Sequence, residues 1–172
     1  MEDFRVVVRN IITNVFSNLG QYKHTNDILL QSASTLLFEN YYKVCCIRTK
    51  IGYFWERIFC LFGYNKLQKG ADIINHQLKI IMELKNSDTT DNVSSRKENI
   101  RKLIRGGIPD YSLVYGMINS NNPKDIIIYF DGYPIRLLSG EYLLKFVMGE
   151  YWNDFINIIQ LEFSSSPYVS LW

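Results

Sequence analysis

Long apolar runs are missing from this 172-residue chain: none approaches the roughly 20 residues needed to cross a bilayer, so no membrane-spanning helix is expected. The stretch Met1-Glu2-Asp3-Phe4-Arg5 lacks the basic-then-apolar-then-small order of a signal peptide, and a cytoplasmic location is expected. Sulfur and imidazole are scarce. Three cysteines, Cys45, Cys46 and Cys60, form an odd set without CxxC spacing, and the two histidines, His24 and His76, lie far apart. That disfavours a structural zinc site and a disulfide framework, and points to buried reduced thiols. Net charge is also small, +2, too little to announce a nucleic-acid partner by itself. Internal repeats and low-complexity segments are absent, and the front third carries no motif of a common catalyst.

What is present is the material of a folded core: 47% hydrophobic and 15% aromatic residues. We expect one domain over 1–172, with a helical segment over 1–62 and a core over 63–172. From Glu2 to Leu19 the apolar residues Phe4, Val7, Val8, Ile11, Ile12, Val15, Phe16 and Leu19 keep a helical period, ended by Gly20. Two further helices are expected, over about Asn26 to Cys46 and over Gly52 to Phe62, the latter with Trp55, Ile58, Phe59 and Phe62 on one stripe.

Beyond the polar loop Tyr64 to Lys69 the period switches to two. Gly70 to Asn86 reads as a hairpin of two apolar runs hinged at Asn75-His76-Gln77. With the turn centred on His76-Gln77, Asp72 lies opposite Ile81. Glu83 is then its diagonal same-face neighbour at about 7–8 Å, and Lys85 follows on that face. Leu78, Ile80, Met82 and Leu84 take the other face, toward a core. Two acids and a lysine are thus gathered at one spot.

A polar loop, Asn86 to Val93, leads to a helix from about Ser95 to Gly106, in which Ser95 with Glu98 reads as a capping box. Strands follow over Tyr111 to Ile118 and Asp125 to Phe130, separated by the turn Asn119 to Pro123. Asp131-Gly132-Tyr133-Pro134 reads as another turn, and Ser139 to Met148 and Tyr151 to Leu161 as helices split by Gly149. The helix between Met82 and Leu113 is long enough to be a crossover joining parallel strands. The fold class is therefore α/β, a mixed sheet flanked by helices.

A phosphodiester repels nucleophiles and has a poor leaving group, and enzymes answer with a divalent cation that neutralises the phosphate and acidifies a bound water. Magnesium prefers hard oxygen ligands. Asp72, Glu83 and the carbonyl of Leu84 supply such a set, and Lys85 can stabilise developing negative charge or lose its proton. Asp72, ten residues, then Glu83-Leu84-Lys85 after an apolar strand resembles the PD-(D/E)XK nuclease superfamily, and the small size is similar to a type II restriction endonuclease. The resemblance covers roughly Gly70 to Leu103. It implies metal binding by Asp72 and Glu83, catalysis by Lys85, Mg²⁺ as cofactor, and double-stranded DNA as substrate. It also implies a homodimer cutting a symmetric site and a cognate DNA methyltransferase in the same system. The proline usual before the aspartate is Ala71 here.

Each residue has a plainer account beside the functional one. The Asp72, Glu83 and Lys85 set could be a solvated strand face, but the flanking runs are apolar and glutamate and lysine are poor strand formers. Glu56 either serves the metal from upstream or is a solvent-facing helical acid. Asn86, Thr89, Thr90, Asn92 and Ser94 offer amides and hydroxyls to base edges or phosphates, or form an ordinary loop. Arg96, Lys97 and Arg101 either bind DNA, aided by the helix N-terminus, or make a solvated basic face. Lys102 and Arg105 are less well placed. A structure-specific or repair nuclease of the same superfamily and a non-catalytic DNA-binding protein are the competing functions.

Overall fold

The computed structural model describes residues 3–16, 49–67, 70–87 and 93–164, and the chain divides into two compact units, 1–55 and 56–172. In the first unit, α1 (Phe4–Phe16) buries Val8, Ile12 and Val15, four and then three residues apart, as a one-sided helix requires. Within this unit Lys50 donates from Nζ to the carbonyl of Val15 at 2.7 Å. Residues 49–60 form a second helix, α2, close to the expected span. The helix expected over about Asn26 to Cys46 lies outside the described residues.

The second unit is built on a six-stranded mixed sheet in the order β1-β2-β3-β4-β6-β5. Its strands are β1 (Asn65–Lys66), β2 (Ile73–Asn75), β3 (Ile80–Ser87), β4 (Ser112–Asn119), β5 (Asp125–Phe130) and β6 (Tyr133–Ser139). The first three pair antiparallel, β3 with β4 and β4 with β6 run parallel, and β5 returns antiparallel to β6. The crossover between the parallel pair β3 and β4 is α3 (Val93–Arg105), as the spacing predicted. After the sheet come α4 (Glu141–Met148), a 3₁₀ turn (Gly149–Tyr151) and α5 (Trp152–Ser164).

Strand alternation sorts the two faces. Ile74, Ile81 and Tyr115 pack with Ile100 and Leu103 of α3 in one cluster that also takes in Ala71, so the residue in the proline position is a core contact. Burying each large aliphatic side chain there contributes about 1.5–3 kcal/mol. On the other face Gly116 leaves room for α4: a Cβ there would lie 2.9 Å from Leu84 Cδ2 and 3.2 Å from Leu143 Cδ1. Both faces are covered, and for that reason Ile80, Ile81 and Met82 are all buried in a row.

Several boundaries differ from expectation. The hairpin turn spans four residues, 76–79, because Asn75 stays in the strand, accepts the Leu78 N–H on Oδ1 at 2.9 Å, and Lys79 takes a positive φ of 52°. Leu78, expected to face the core, is therefore an exposed turn residue, as is Lys79. Ladder partners are Ile73 with Met82 and Ile74 with Ile81, a shift of two from the expected register. The ladder stops at Ile73, so Asp72, expected opposite Ile81, lies just before β2 with its N–H on the Met82 carbonyl. A shift of two keeps Ile80 and Met82 on one face and Glu83 and Lys85 on the other, as expected, whereas a shift of one would have reversed them.

α3 begins at Val93, so Ser95 sits inside the helix instead of capping it, and Glu98 bonds Arg105 at 2.6 Å. The loop Tyr64 to Lys69 contains the short β1, and Tyr64 is buried. The largest omission is β6. Asp131 and Gly132, with φ of 49° and 82°, make a two-residue hairpin turn, and Tyr133 and Pro134 already belong to the strand. Pro134 is tolerated because pairing to β4 starts one residue later, at Ile135. Ser139 ends this strand rather than starting a helix.

Candidate active site

Asp72 is held at the mouth of the β2–β3 hairpin by its backbone: its N–H donates to the Met82 carbonyl at 3.1 Å and its carbonyl accepts from Leu67 N–H at 3.0 Å. Its carboxylate Oδ2 accepts the Leu84 N–H at 2.7 Å. That bond follows from β2 being short. The backbone of Met82 points toward β2, so that of Leu84 does too, and beyond the last β2 pair the Asp72 side chain takes the place of a strand. The Leu84 carbonyl is directed to the same side, away from β4.

Glu83, one residue before, points to the α3 face, in register with the fully buried Tyr115. Its side chain is only 1% exposed, and both oxygens carry an ammonium: Lys85 Nζ donates to Oε1 at 2.7 Å and Lys102 Nζ to Oε2 at 3.4 Å. An unpaired carboxylate this buried would cost several kcal/mol, and the two lysines offset that cost. The buried Glu83 and the half-buried Asp72, Lys85 and Lys102 balance as two negative and two positive charges. The oxygens offered to a cation are the two carboxylates and the Leu84 carbonyl. Among the described residues no cluster of three or more His, Cys, Asp or Glu offers a larger donor set.

The remaining sequence-derived residues are placed more loosely. Glu56, on α2, bonds Lys66 at 2.8 Å, and Lys66 pairs with Ile73, in the row of Met82 rather than that of Glu83. Asn86 accepts from Asn119 Nδ2 at 3.0 Å, joining the ends of β3 and β4. Thr89, Thr90 and Asn92 lie outside the described residues. Ser94 and Lys97 are exposed and Arg96 half-buried on the first turns of α3. Arg101 lies 3.9 Å from Glu98, 4.0 Å from Asp131 and 5.7 Å over the Phe130 ring. His76, read as a turn residue, is one; its Nδ1 lies 2.9 Å from the Tyr111 hydroxyl.

Lys102 is the residue that sequence reasoning passed over. The signal available was the crossover itself: a helix after β3 must lie on one sheet face, and burying Ile100 and Leu103 sets Lys102 at the edge of that contact.

No curated protein and no solved structure matches the chain. A family model described as Eco47II restriction endonuclease matches residues 43–112, a stretch that holds Glu56, Asp72, Glu83, Lys85 and Lys102. With a restriction-endonuclease-like mixed sheet behind that stretch, the chain's match to the Eco47II restriction endonuclease family is consistent with a type II restriction endonuclease of the PD-(D/E)XK type.

Proposed function

We propose that this protein is a Mg²⁺-dependent type II restriction endonuclease that hydrolyses phosphodiester bonds of double-stranded DNA at a short specific site. The observation that carries the reading is the convergence of Asp72, Glu83 and Lys85 where β2 ends and β3 continues, with the Asp72 carboxylate 2.7 Å from the backbone of Leu84 between the other two. Asp72, Glu83 and the Leu84 carbonyl would hold the cation; all are hard oxygens and few enough to leave room for water and a phosphate oxygen. When bound, the cation supplies charge neutralisation and a more acidic water.

The chain's own groups do the rest. Leu84 N–H orients the Asp72 carboxylate, and α3 keeps bulk water from Glu83. Lys85 Nζ, on leaving Glu83 Oε1, turns to the phosphate and stabilises the negative charge that grows on its oxygens as water adds and a P–O bond breaks. Arg96, Lys97 and Arg101 on α3, with Asn86, Ser94, Thr89, Thr90 and Asn92, contact DNA. Glu56 joins the cation site only if it leaves Lys66. Two copies, each cutting one strand, act as a homodimer through residues 1–62, and a cognate methyltransferase protects the host site.

Incubation with plasmid DNA and Mg²⁺, with and without EDTA, tests this. Discrete, EDTA-sensitive bands are expected. A smear or a preference for junctions would point instead to a repair nuclease, and retained binding without cleavage to a non-catalytic DNA-binding protein.

A further inference from the structure

Lys85 belongs to the Glu83-Leu84-Lys85 triplet, but Lys102, which covers the other oxygen of the same carboxylate, belongs to no motif and comes from a different element. Its location is built into the fold. Leu103 beside it and Ile100 are locked into the cluster with Ile81 and Tyr115, on the face from which Glu83 projects. The end of α3 is fixed as well, since a Cβ on Gly106 would lie 3.0 Å from Gly70 Cα at the hairpin entrance. The two partners differ in freedom: Glu83 is 1% exposed, whereas the Lys102 side chain is 44% exposed. Its ammonium can swing to another anion without disturbing the core; the carboxylate cannot follow.

We propose that Lys102 is a positioning residue that stands in for the divalent cation at Glu83 Oε2 in the DNA-free protein and gives way when a DNA phosphate arrives. This rests on the reading of Asp72 and Glu83 as the cation-binding pair. A dication entering while both lysines stay on Glu83 would turn a charge-balanced site into a strongly positive one, so cation affinity is low without DNA. A backbone phosphate supplies the negative charge that draws the flexible Lys102 away and uncovers Oε2. Cation and DNA then bind with positive coupling, each raising the affinity for the other.

The test is calorimetric titration of the full chain with Mn²⁺, for wild type, Lys102→Met, Lys102→Arg and Asp72→Asn, without DNA and with a pooled mixed-sequence duplex. Without DNA, Lys102→Met should bind Mn²⁺ about tenfold more tightly than wild type, the scale of one partly screened charge at this range. Lys102→Arg keeps the charge and should match wild type, and Asp72→Asn should bind far more weakly. Added duplex should tighten Mn²⁺ binding in wild type and much less in Lys102→Met. Equal affinities for wild type and Lys102→Met, with binding still lost in Asp72→Asn, would overturn the role of Lys102 and leave the cation site standing. Undiminished binding by Asp72→Asn would overturn the site and this inference together.

Discussion

Glu83 concentrates the chemistry of the molecule because burial makes its charge expensive and its partners indispensable. Removing Lys85 uncovers Oε1 of a carboxylate that is 1% exposed, so Lys85→Ala should lower stability by about 1–3 kcal/mol in a denaturant titration as well as abolish cleavage. Asp72→Asn is a cleaner change: the amide keeps an oxygen for the Leu84 N–H and loses the charge. A second buried polar group behaves in the opposite sense. The Tyr64 hydroxyl has no hydrogen-bond partner among the described residues, and burial pushes its pKa from 10.0 up to about 12. The unfolded chain releases that proton near pH 10 and the folded chain holds it to about 12, so this contribution is whole below pH 10 and is lost between pH 10 and 12. Tyr64→Phe should leave stability at pH 7 unchanged or raise it by about 1 kcal/mol, and should flatten its alkaline decline, read from thermal melts across that range. At this scale the sequence was informative about Glu83 and Lys85 sharing a strand face and about Asp72 lying close to that strand. It ranked Lys102 as less well placed for DNA and did not bring it to Glu83, because that approach depends on tertiary packing.

At the scale of elements, the hairpin and α3 form one device held by close backbone approach. Gly70, at φ 91°, and Gly106 pass so near that a Cβ on either would lie 3.0–3.2 Å from the other's Cα. Gly106→Ala should therefore cost about 1–3 kcal/mol and, by moving the end of α3, weaken the Lys102 to Glu83 pairing; the first is read by denaturation, the second by Mn²⁺ affinity rising toward that of Lys102→Met. Asn75 ties the turn, bonding Leu78 N–H at 2.9 Å and the Phe62 carbonyl at 3.4 Å while 3% exposed, so Asn75→Ala should destabilise by about 1–3 kcal/mol. Alternation of apolar residues revealed which face each strand residue takes. Turn length was not legible, because it rests on the Asn75 side chain and on Lys79 adopting a left-handed backbone. The register therefore differs by two, an even number, and Glu83 and Lys85 keep their common face.

Over the whole molecule, the sequence order of helices, hairpin, crossover helix and strands was enough to expect a mixed sheet with a parallel pair. Its strand order was not, because β6 inserts between β4 and β5 after a turn whose Pro134 disguised the strand behind it. Asp131-Gly132, a two-residue hairpin signal, was the available clue. The sheet ends in β5, where Ile126, Ile127 and Tyr129 are exposed, an edge open to unwanted pairing. If the homodimer forms through residues 1–62, Ile127→Lys should leave the sedimentation coefficient that of a dimer; a shift to monomer would move the interface to β5. The central claim, that Asp72, Glu83 and Lys85 make a nuclease site, is tested most directly by comparing plasmid cleavage in Mg²⁺ by wild type and Asp72→Asn, with thermal melts to verify folding. Wild type should give discrete fragments, and Asp72→Asn, still folded and binding DNA, should lose at least about a thousandfold in rate. Undiminished cutting by Asp72→Asn would contradict it.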